Sequence, residues 1–256
     1  MSCPVLGAQL YSVREHTQTM EGVRETLQKV ARIGYTAVQI SAFGPVDPRE
    51  VAKAVQEAGL KVAATHMAWS RFLAETDAVI EEHRIWGCEH AAIGGLPGEY
   101  FSLEGLQRFL DELGPVAEKL AAAGIDFSYH NHHHELARYG KKTWLEMLLE
   151  RADPRHLKVE IDTHWIQRGG GDPAAWIRRY PGRQPLLHLK DMTITPEREV
   201  RFAEVGEGNL NWPAILSAAA ESGVRWYLVE QDECYGRDPF ESLAISFRNL
   251  RAMGLS

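Results

Sequence analysis

The chain has 256 residues, 45% of them hydrophobic, which suits one large α/β domain or two small ones with a sizeable core. Its formal net charge of −7 argues against a broad nucleic-acid-binding surface, which normally carries a basic excess. No segment approaches the roughly 18 apolar residues of a membrane span, and Cys3, Cys88 and Cys234 are too few and too widely spaced for a disulfide framework. We therefore expect a cytoplasmic protein whose partner is a small molecule, with no membrane and no nucleic acid.

One pattern repeats along the chain: an apolar run of strand length, then polar residues, then an amphipathic helical segment. It predicts eight strands, at residues 5–10, 37–40, 60–65, 89–93, from 124 into a histidine-rich stretch, and at 157–162, 186–189 and 226–230. The predicted helices lie at 20–33, 47–58, 71–86, 103–123, 143–151, 172–179 and 212–222, with a last one starting at 238. We expect the helix at 103–123 to be interrupted around Gly114 and Pro115, since proline cannot donate a helical hydrogen bond.

Eight strand-helix units in this length fit a single (β/α)₈ TIM barrel spanning residues 1–256, with the active site at the C-terminal face of the strands. An open, doubly wound sheet is the competing interpretation. Against it, the first strand lacks a Gly-x-Gly-x-x-Gly motif, and polar residues end nearly every strand. In a barrel these strand-end residues would surround one mouth: Gln9, Gln39, His66, His130, Asp162, His188 and Glu230.

The stretch 129–135 reads Tyr-His-Asn-His-His-His-Glu and is dense in metal-ligating side chains. On an extended strand alternate side chains share a face, so His130, His132 and His134 would point one way. Three later apolar runs, at 157–162, 186–191 and 227–232, also end in carboxylate or imidazole groups. These four strand ends together indicate one shared site.

Six short motifs follow one another in order along the chain, at residues 129–132, 161–170, 180–183, 188–192, 205–208 and 229–232. They include Tyr-His-Asn-His, Ile-Asp followed by Trp165, Tyr-Pro-Gly-Arg, His-Leu-Lys-Asp-Met, Val-Gly-Glu-Gly and Val-Glu-Gln-Asp. In this order they resemble the sugar phosphate isomerase/epimerase family of xylose isomerase-like barrels. The resemblance covers nearly the whole chain and points to the superfamily more strongly than to any one substrate.

The resemblance implies one divalent metal ion at the barrel mouth, held by a carboxylate, an Asp, a His and a Glu from strands five to eight. Asp162, His188 and Glu230 match the last three positions. At the first position this chain has His130 where better-known members have Glu. His130 can serve as the fourth ligand, because neutral imidazole binds ions such as Mn, Zn, Fe or Co. It is preferred over Glu160, which shares the face of Asp162 but lies deeper, because a ligand and its Asp partner should lie at similar depth.

A metal ion at this mouth can chelate the carbonyl and a neighbouring hydroxyl of a keto-sugar, so that the adjacent proton becomes acidic and an enediolate-like intermediate forms. The base must lie within hydrogen-bond reach of that proton. Candidate catalytic residues are Glu160, Glu230, Lys190 and His66. Candidate substrate-binding residues are Gln9, Gln39, His132, Trp165 and Glu207, and Trp69 is a further candidate for stacking on a sugar ring.

The leading functional hypothesis is a metal-dependent isomerase or epimerase of a sugar or sugar derivative. The alternative in the same site is a dehydratase or lyase acting on a keto-sugar, keto-inositol or 3-keto-glycoside, because the His-for-Glu change at His130 resembles dehydratase-like branches. An apurinic-site endonuclease is disfavoured by the acidic charge, and a non-catalytic sugar-binding barrel is a further alternative. The sequence does not favour a phosphorylated substrate, and it leaves room for a homo-oligomer.

Overall fold

Eight parallel strands close into a barrel in the computed structural model, which describes residues 4–255, so that Cys3 lies outside the described residues. Their bounds are β1 Val5–Gln9, β2 Ala37–Ile40, β3 Lys61–Met67, β4 His90–Ile93, β5 Asp126–His130, β8 Lys158–Asp162, β9 Leu186–Leu189 and β12 Trp226–Val229. These strands pair in the order β1-β12-β9-β8-β5-β4-β3-β2. The predicted TIM barrel is therefore confirmed.

Helices connect the strands and cover the outside of the barrel. They are α1 Met20–Ile33, α2 Pro48–Glu57, α3 Trp69–Trp86, α4 Leu103–Ala122, α5 Trp144–Arg151, α6 Thr163–Arg168, α7 Pro173–Arg179, α8 Trp212–Glu221 and α9 Pro239–Ala252. Three of them begin at an Asp-Pro pair, in which Asp47, Asp172 or Asp238 caps the first turn and proline fills the first helical position. Within the described residues, no helix is long and apolar enough to cross a membrane.

Helix α4 differs from the prediction, because it runs without interruption through Gly114 and Pro115. Proline removes one hydrogen bond from the helix, but the apolar face on either side of it is buried. Leu113 and Val116 pack into the core cluster under this helix. Burial of about 1.5–3 kcal/mol per large apolar side chain offsets the missing bond and keeps the helix continuous.

Three short features were not predicted from the sequence. Helix α6 follows directly after β8, and two hairpins extend from the barrel rim. One hairpin pairs β6 Arg138–Tyr139 with β7 Lys142–Thr143, and the other pairs β10 Asp191–Ile194 with β11 Val200–Ala203. The second hairpin begins two residues after β9 ends, and it therefore stands at the mouth of the barrel.

The barrel interior is apolar at one end and polar at the other. Toward the N-terminal ends of the strands it is filled by a small apolar cluster that includes Leu186, Trp226 and Leu228. Toward the C-terminal ends the inward-facing side chains are Gln, His, Asp and Glu, and they are almost fully buried. Burying polar groups is costly unless they pair with one another or with a ligand. The candidate functional residues are therefore concentrated in this polar layer at the C-terminal ends of the strands.

Candidate metal centre at the barrel mouth

Strand register brings the predicted ligands to one level. His130 pairs with Glu160 across β5 and β8, and Asp162 pairs with His188 across β8 and β9. Alternation along β8 places Glu160 and Asp162 on the same, inward face, with Asp162 nearer the mouth. The Nδ1 atom of His188 then lies 3.0 Å from Oε2 of Glu230, which follows β12.

Four side chains form a compact donor group at this level: His130, Asp162, His188 and Glu230. One nitrogen or oxygen atom from each lies within 4.8 Å of all the others, and all four residues are buried. Nε2 of His130 lies 3.3 Å from Oδ2 of Asp162. The structure therefore brings together the four residues that the sequence singled out as preferred metal ligands.

Glu160 lies deeper and belongs to a different group of side chains. Its Oε2 accepts a hydrogen bond from Nε2 of His66 at 2.5 Å, and its Oε1 accepts one from the Gln39 amide at 2.9 Å. Gln39 in turn accepts from Nε2 of His188 at 2.7 Å. Because Nε2 of His188 is engaged below, its Nδ1 is oriented toward the four-residue donor group.

The buried charges at the mouth shift one another's pKa values. Burial alone would lower the pKa of His188, but the carboxylates of Glu160 and Glu230 outweigh it and raise the pKa well above its ordinary value. Burial would raise the pKa of Asp162, yet Lys190 and His130 hold it well below its ordinary value. Burial, reinforced by His188, lowers the pKa of His130 to about 4, so its imidazole is neutral.

Lys190 is a buried ammonium group surrounded by carboxylates. Its Nζ lies 2.7 Å from Oε2 of Glu230, 2.7 Å from Oδ1 of Asp232 and 3.5 Å from Oδ2 of Asp162. Burial would lower its pKa, but these three carboxylates raise the pKa above its ordinary value. Lys190 therefore stays protonated, which suits holding a negatively charged oxygen and disfavours a role as general base.

A cavity of about 410 Å³ opens above the donor group. The predicted residues that line it are Gln9, His66, His130, His132, Lys190 and Glu230. Gln39 lies beneath them, fully buried against Glu160 and His188. Trp165 stands at the rim, with its ring 5.3 Å from the Lys190 ammonium and 5.1 Å from the His132 ring.

Two predicted residues take other roles in the structure. Glu207 is exposed in the turn after β11, where its carboxylate accepts a hydrogen bond from Asn249 Nδ2 of α9 at 2.8 Å, so it is not part of the mouth. Trp69 is buried at the start of α3, its indole donates to Glu112, and its ring packs edge-on against Phe109. Its position directly after a strand was misleading, because the side chain turns into the layer between α3 and α4.

Two residues at the mouth were not assigned a role from the sequence. Asp232 lines the cavity beside Lys190, and burial together with Glu230 raises its pKa to about 6. Its signal is present in the sequence, since Glu230 and Asp232 are two residues apart after a strand. Asn131 accepts a hydrogen bond from the backbone N–H of Asp162 at 3.0 Å and so aligns the ends of β5 and β8.

Comparison with known proteins agrees with this geometry. The sequence pattern of a family described as xylose isomerase-like TIM barrel matches residues 27–252. The chain belongs to this family. Among curated relatives, inosose dehydratase of Geobacillus thermodenitrificans (strain NG80-2) is 22% identical over 248 residues, which cover 82% of each protein. A rhizopine catabolism protein of Rhizobium meliloti is 24% identical over 153 residues, 54% of this chain and 45% of that protein.

Solved structures show the same fold. A sugar phosphate isomerase/epimerase from Parabacteroides distasonis ATCC 8503 superposes with a TM-score of 0.85 at 25% identity, covering 100% of this chain and 98% of that one. L-ribulose 3-epimerase superposes with a TM-score of 0.76 at 19% identity, covering 98% and 94%, a likeness of fold alone. The proteins that this chain resembles therefore carry the names of both a dehydratase and an isomerase/epimerase.

Proposed function

We propose that this chain is a divalent-metal-dependent dehydratase or lyase that removes a proton beside the carbonyl of an uncharged keto-sugar or keto-cyclitol. The metal ligands are His130, Asp162, His188 and Glu230, and the ion is one Mn, Zn, Fe or Co. The observation that carries the proposal is the asymmetry of the mouth: the carboxylates that face the cavity follow β12, and the imidazoles that face it lie on or just after β3 and β5, across the barrel.

The donor group fits a divalent cation in both chemistry and charge. Two imidazole nitrogens and two carboxylates are ligands that Mn, Zn, Fe and Co accept. Four carboxylates meet here, and they are offset by one lysine, Lys190, and by a proton drawn onto His188, so negative charge is in excess: Glu160, Asp162, Glu230 and Asp232. A divalent cation would replace that proton and leave Nδ1 of His188 as a ligand.

A metal ion bound here would draw electron density from the substrate carbonyl and acidify the neighbouring C–H bond. The chain's own residues would then move the proton. Asp232 is the preferred base, because its pKa of about 6 lets it accept a proton and return it near neutral pH. Lys190, 2.7 Å from Asp232, would hold the developing negative charge on oxygen.

Glu230 and Asp232 both follow β12, whereas His66, His130 and His132 line the other side of the cavity. Burial lowers the pKa of His132 to about 2, with His130 adding to the effect, so this imidazole is a poor proton acceptor. Elimination can proceed with a single group that removes a proton and then protonates the leaving hydroxyl on the same face. Epimerisation needs a second acid or base on the opposite face. There His130 is a proposed metal ligand, and both ring nitrogens of His66 already have partners, Glu160 and Gln9.

An isomerase is the second candidate, and the 25% identical isomerase/epimerase structure that covers the whole chain favours it. Moving a proton between adjacent carbons along one face also requires a single base. Both candidates therefore share the first half of the reaction and differ in whether a β-substituent leaves.

The charge of the cavity favours a substrate without phosphate. Lys190 is the single cationic side chain among the described lining residues, and it is already paired with Glu230 and Asp232. A phosphate group would enter a site rich in carboxylates without a free Arg or Lys to meet it.

The test is elemental analysis of protein purified without chelator, followed by incubation with a panel of keto-sugars and keto-inositols. We expect about one metal ion per chain and an ultraviolet-absorbing enone product. An isomer without enone would favour the second candidate. If the protein holds no metal and Asp162→Asn leaves its affinity for sugar unchanged, both enzymatic candidates are wrong and the chain is a non-catalytic sugar-binding barrel.

The variant Asp232→Asn tests whether Asp232 acts as the base and not as a metal ligand. We expect it to keep its metal and to lose at least about 100-fold in turnover, with the acidic limb of the pH profile removed. Full turnover in this variant would exclude Asp232 as the base.

A further inference from the structure

A second cavity, of about 900 Å³, lies at the end of the barrel opposite the candidate metal centre. It is bordered by the start of β3 at Lys61, the start of β4 at His90 and the start of β12 at Trp226. One face of α2, from Arg49 to Gln56, and the last turn of α3 form its outer wall. Since these strands run from this cavity toward the mouth, the two sites lie at the two ends of the same barrel.

The lining of this N-terminal cavity is strongly basic. One acidic side chain borders it, that of Glu89. Five cationic side chains also border it: Arg49, Lys53, Lys61, Arg84 and Arg225. Lys53 and Arg84 have distant acidic neighbours, Glu57 at 3.8 Å and Glu81 at 3.9 Å. Across the part of the chain that the structure describes, the other three cations have no carboxylate within ion-pair distance. In a protein with a net charge of −7, this is a local concentration of positive charge.

Two buried side chains of the same cavity retain unused hydrogen-bonding capacity. Nδ1 of His90 and Nε1 of Trp226 are covered from solvent and have no hydrogen-bond partner among residues 4–255. Both residues are more than nine-tenths buried, at 7% and 6% exposure, and both line the cavity. Asp126 Oδ2 is 3.8 Å from the His90 nitrogen, too far for a hydrogen bond. Leaving such groups unsatisfied costs about 1–3 kcal/mol each, and a ligand at this end can relieve that cost.

We propose that the N-terminal cavity binds a small molecule carrying two or more phosphate groups. The unpaired Arg49, Lys61 and Arg225 supply the charge for more than one phosphate, and the Arg225 guanidinium rests 5.0 Å over the Trp226 ring at the cavity wall. The cavity is larger than the one at the mouth, and the aromatic and apolar side chains between the cations suit the body of such a molecule. Nothing in the proposed catalytic reaction requires this site.

The test is isothermal titration of the full-length protein with inorganic pyrophosphate, against sodium chloride of equal ionic strength. We expect saturable binding of about one pyrophosphate per chain, weakened at least about tenfold in the double variant Lys61→Gln/Arg225→Gln. The matched control is Lys141→Gln/Arg198→Gln, which removes one exposed Lys and one exposed Arg elsewhere and should bind like the unmodified protein.

Pyrophosphate also chelates metal ions, so a second variant locates the bound molecule. Asp162→Asn, which changes the metal centre at the other end, should leave the affinity unchanged. Loss of binding in Asp162→Asn would place the pyrophosphate at the mouth and overturn the proposal. Equal weakening in the two double variants, or no saturable binding, would also overturn it.

Discussion

Two aspartates at the rim of the barrel, Asp162 and Asp191, are alike in position and burial but differ in their partners. Asp162 is the last residue of β8, Asp191 lies two residues after β9, and both are fully buried. One oxygen of Asp162 accepts a hydrogen bond from the Trp165 N–H and so caps α6, while the other faces His130 and Lys190. The carboxylate of Asp191 instead accepts from four backbone N–H groups and one indole, those of Met192, Gly206, Gly208, Leu210 and Trp212.

This difference shows that burial at a strand end does not by itself mark a functional carboxylate. Asp191 is satisfied by donors that cannot give up their protons, and its contacts fix β10 to the turn after β11. The second oxygen of Asp162 faces His130 and Lys190, which are ionisable, so a cation can bind to this oxygen in their place. The identity of the partners therefore separates a structural carboxylate from a candidate ligand.

The largest expected effect is that of Asp162→Asn on metal binding and activity. The amide keeps the size of the side chain but cannot neutralise a cation, so we expect metal content near zero and turnover reduced by at least about 10³-fold. The helix content should remain that of the unmodified protein, because the remaining amide oxygen can still cap α6. Elemental analysis and circular dichroism check these outcomes, and retained metal in the variant would refute the ligand assignment.

The same substitution at Asp191 should affect stability instead. An amide at this position turns one oxygen acceptor into a donor that faces backbone N–H groups, so we expect the free energy of unfolding to fall by about 3–5 kcal/mol. Metal content per folded chain should stay unchanged. Urea titration measures the loss, and a change below about 1 kcal/mol would mean that the hairpin is held mainly by other contacts.

Glu135 is a third buried carboxylate, and its contribution should depend on pH. Its Oε1 accepts from the Tyr129 hydroxyl and its Oε2 from the backbone N–H of His132. Burial raises its pKa from 4.5 to about 7, so folding favours the protonated form. The stability that this preference provides is complete below pH 4.5 and is lost as the pH rises to about 7, an effect of about 3 kcal/mol.

Urea titrations of Glu135→Gln at several pH values test this dependence. The variant cannot ionise at this position, so its stability should fall less steeply between pH 4.5 and 7 than that of the unmodified protein. Parallel curves for the two proteins would show that Glu135 does not titrate in this range.

Local sequence patterns were sufficient to predict the barrel, because alternating apolar runs, Asp-Pro caps and terminal glycines specify each strand and helix separately. They also placed the four donor residues among the strand-end residues of one mouth, since a parallel barrel brings all strand ends together. The choice of these four as ligands came from the resemblance to the sugar phosphate isomerase/epimerase family. Helix α6 was missed because it has six residues and is capped by Asp162, the last residue of β8, whose side chain also faces the site.

The features that sequence reasoning missed depend on contacts between distant residues. The hairpin β10–β11 is held by Asp191 through Gly206 and Gly208, which lie 15 and 17 residues away. Glu207 shares that turn, but its partner Asn249 is 42 residues along the chain, and no local pattern distinguishes this contact from a role at the mouth. Asp232 acquires its raised pKa from Glu230 and burial, which become apparent once the strands are assembled.

The smallest predicted effect concerns the N-terminal cap of α5, which lies away from the mouth and includes the carboxylate of Glu146. Glu146 forms a capping box with Thr143, in which the side chain of each residue accepts a hydrogen bond from the backbone N–H of the other residue. Thr143→Ala should lower the free energy of unfolding by about 1 kcal/mol, without altering metal content or turnover. Thr143→Ser, which keeps the hydroxyl, is the matched control and should recover most of that loss. A larger loss that also reduces metal content would mean that α5 helps to position β5 and its His130, so that the mouth depends on the outer helices more than its contacts indicate.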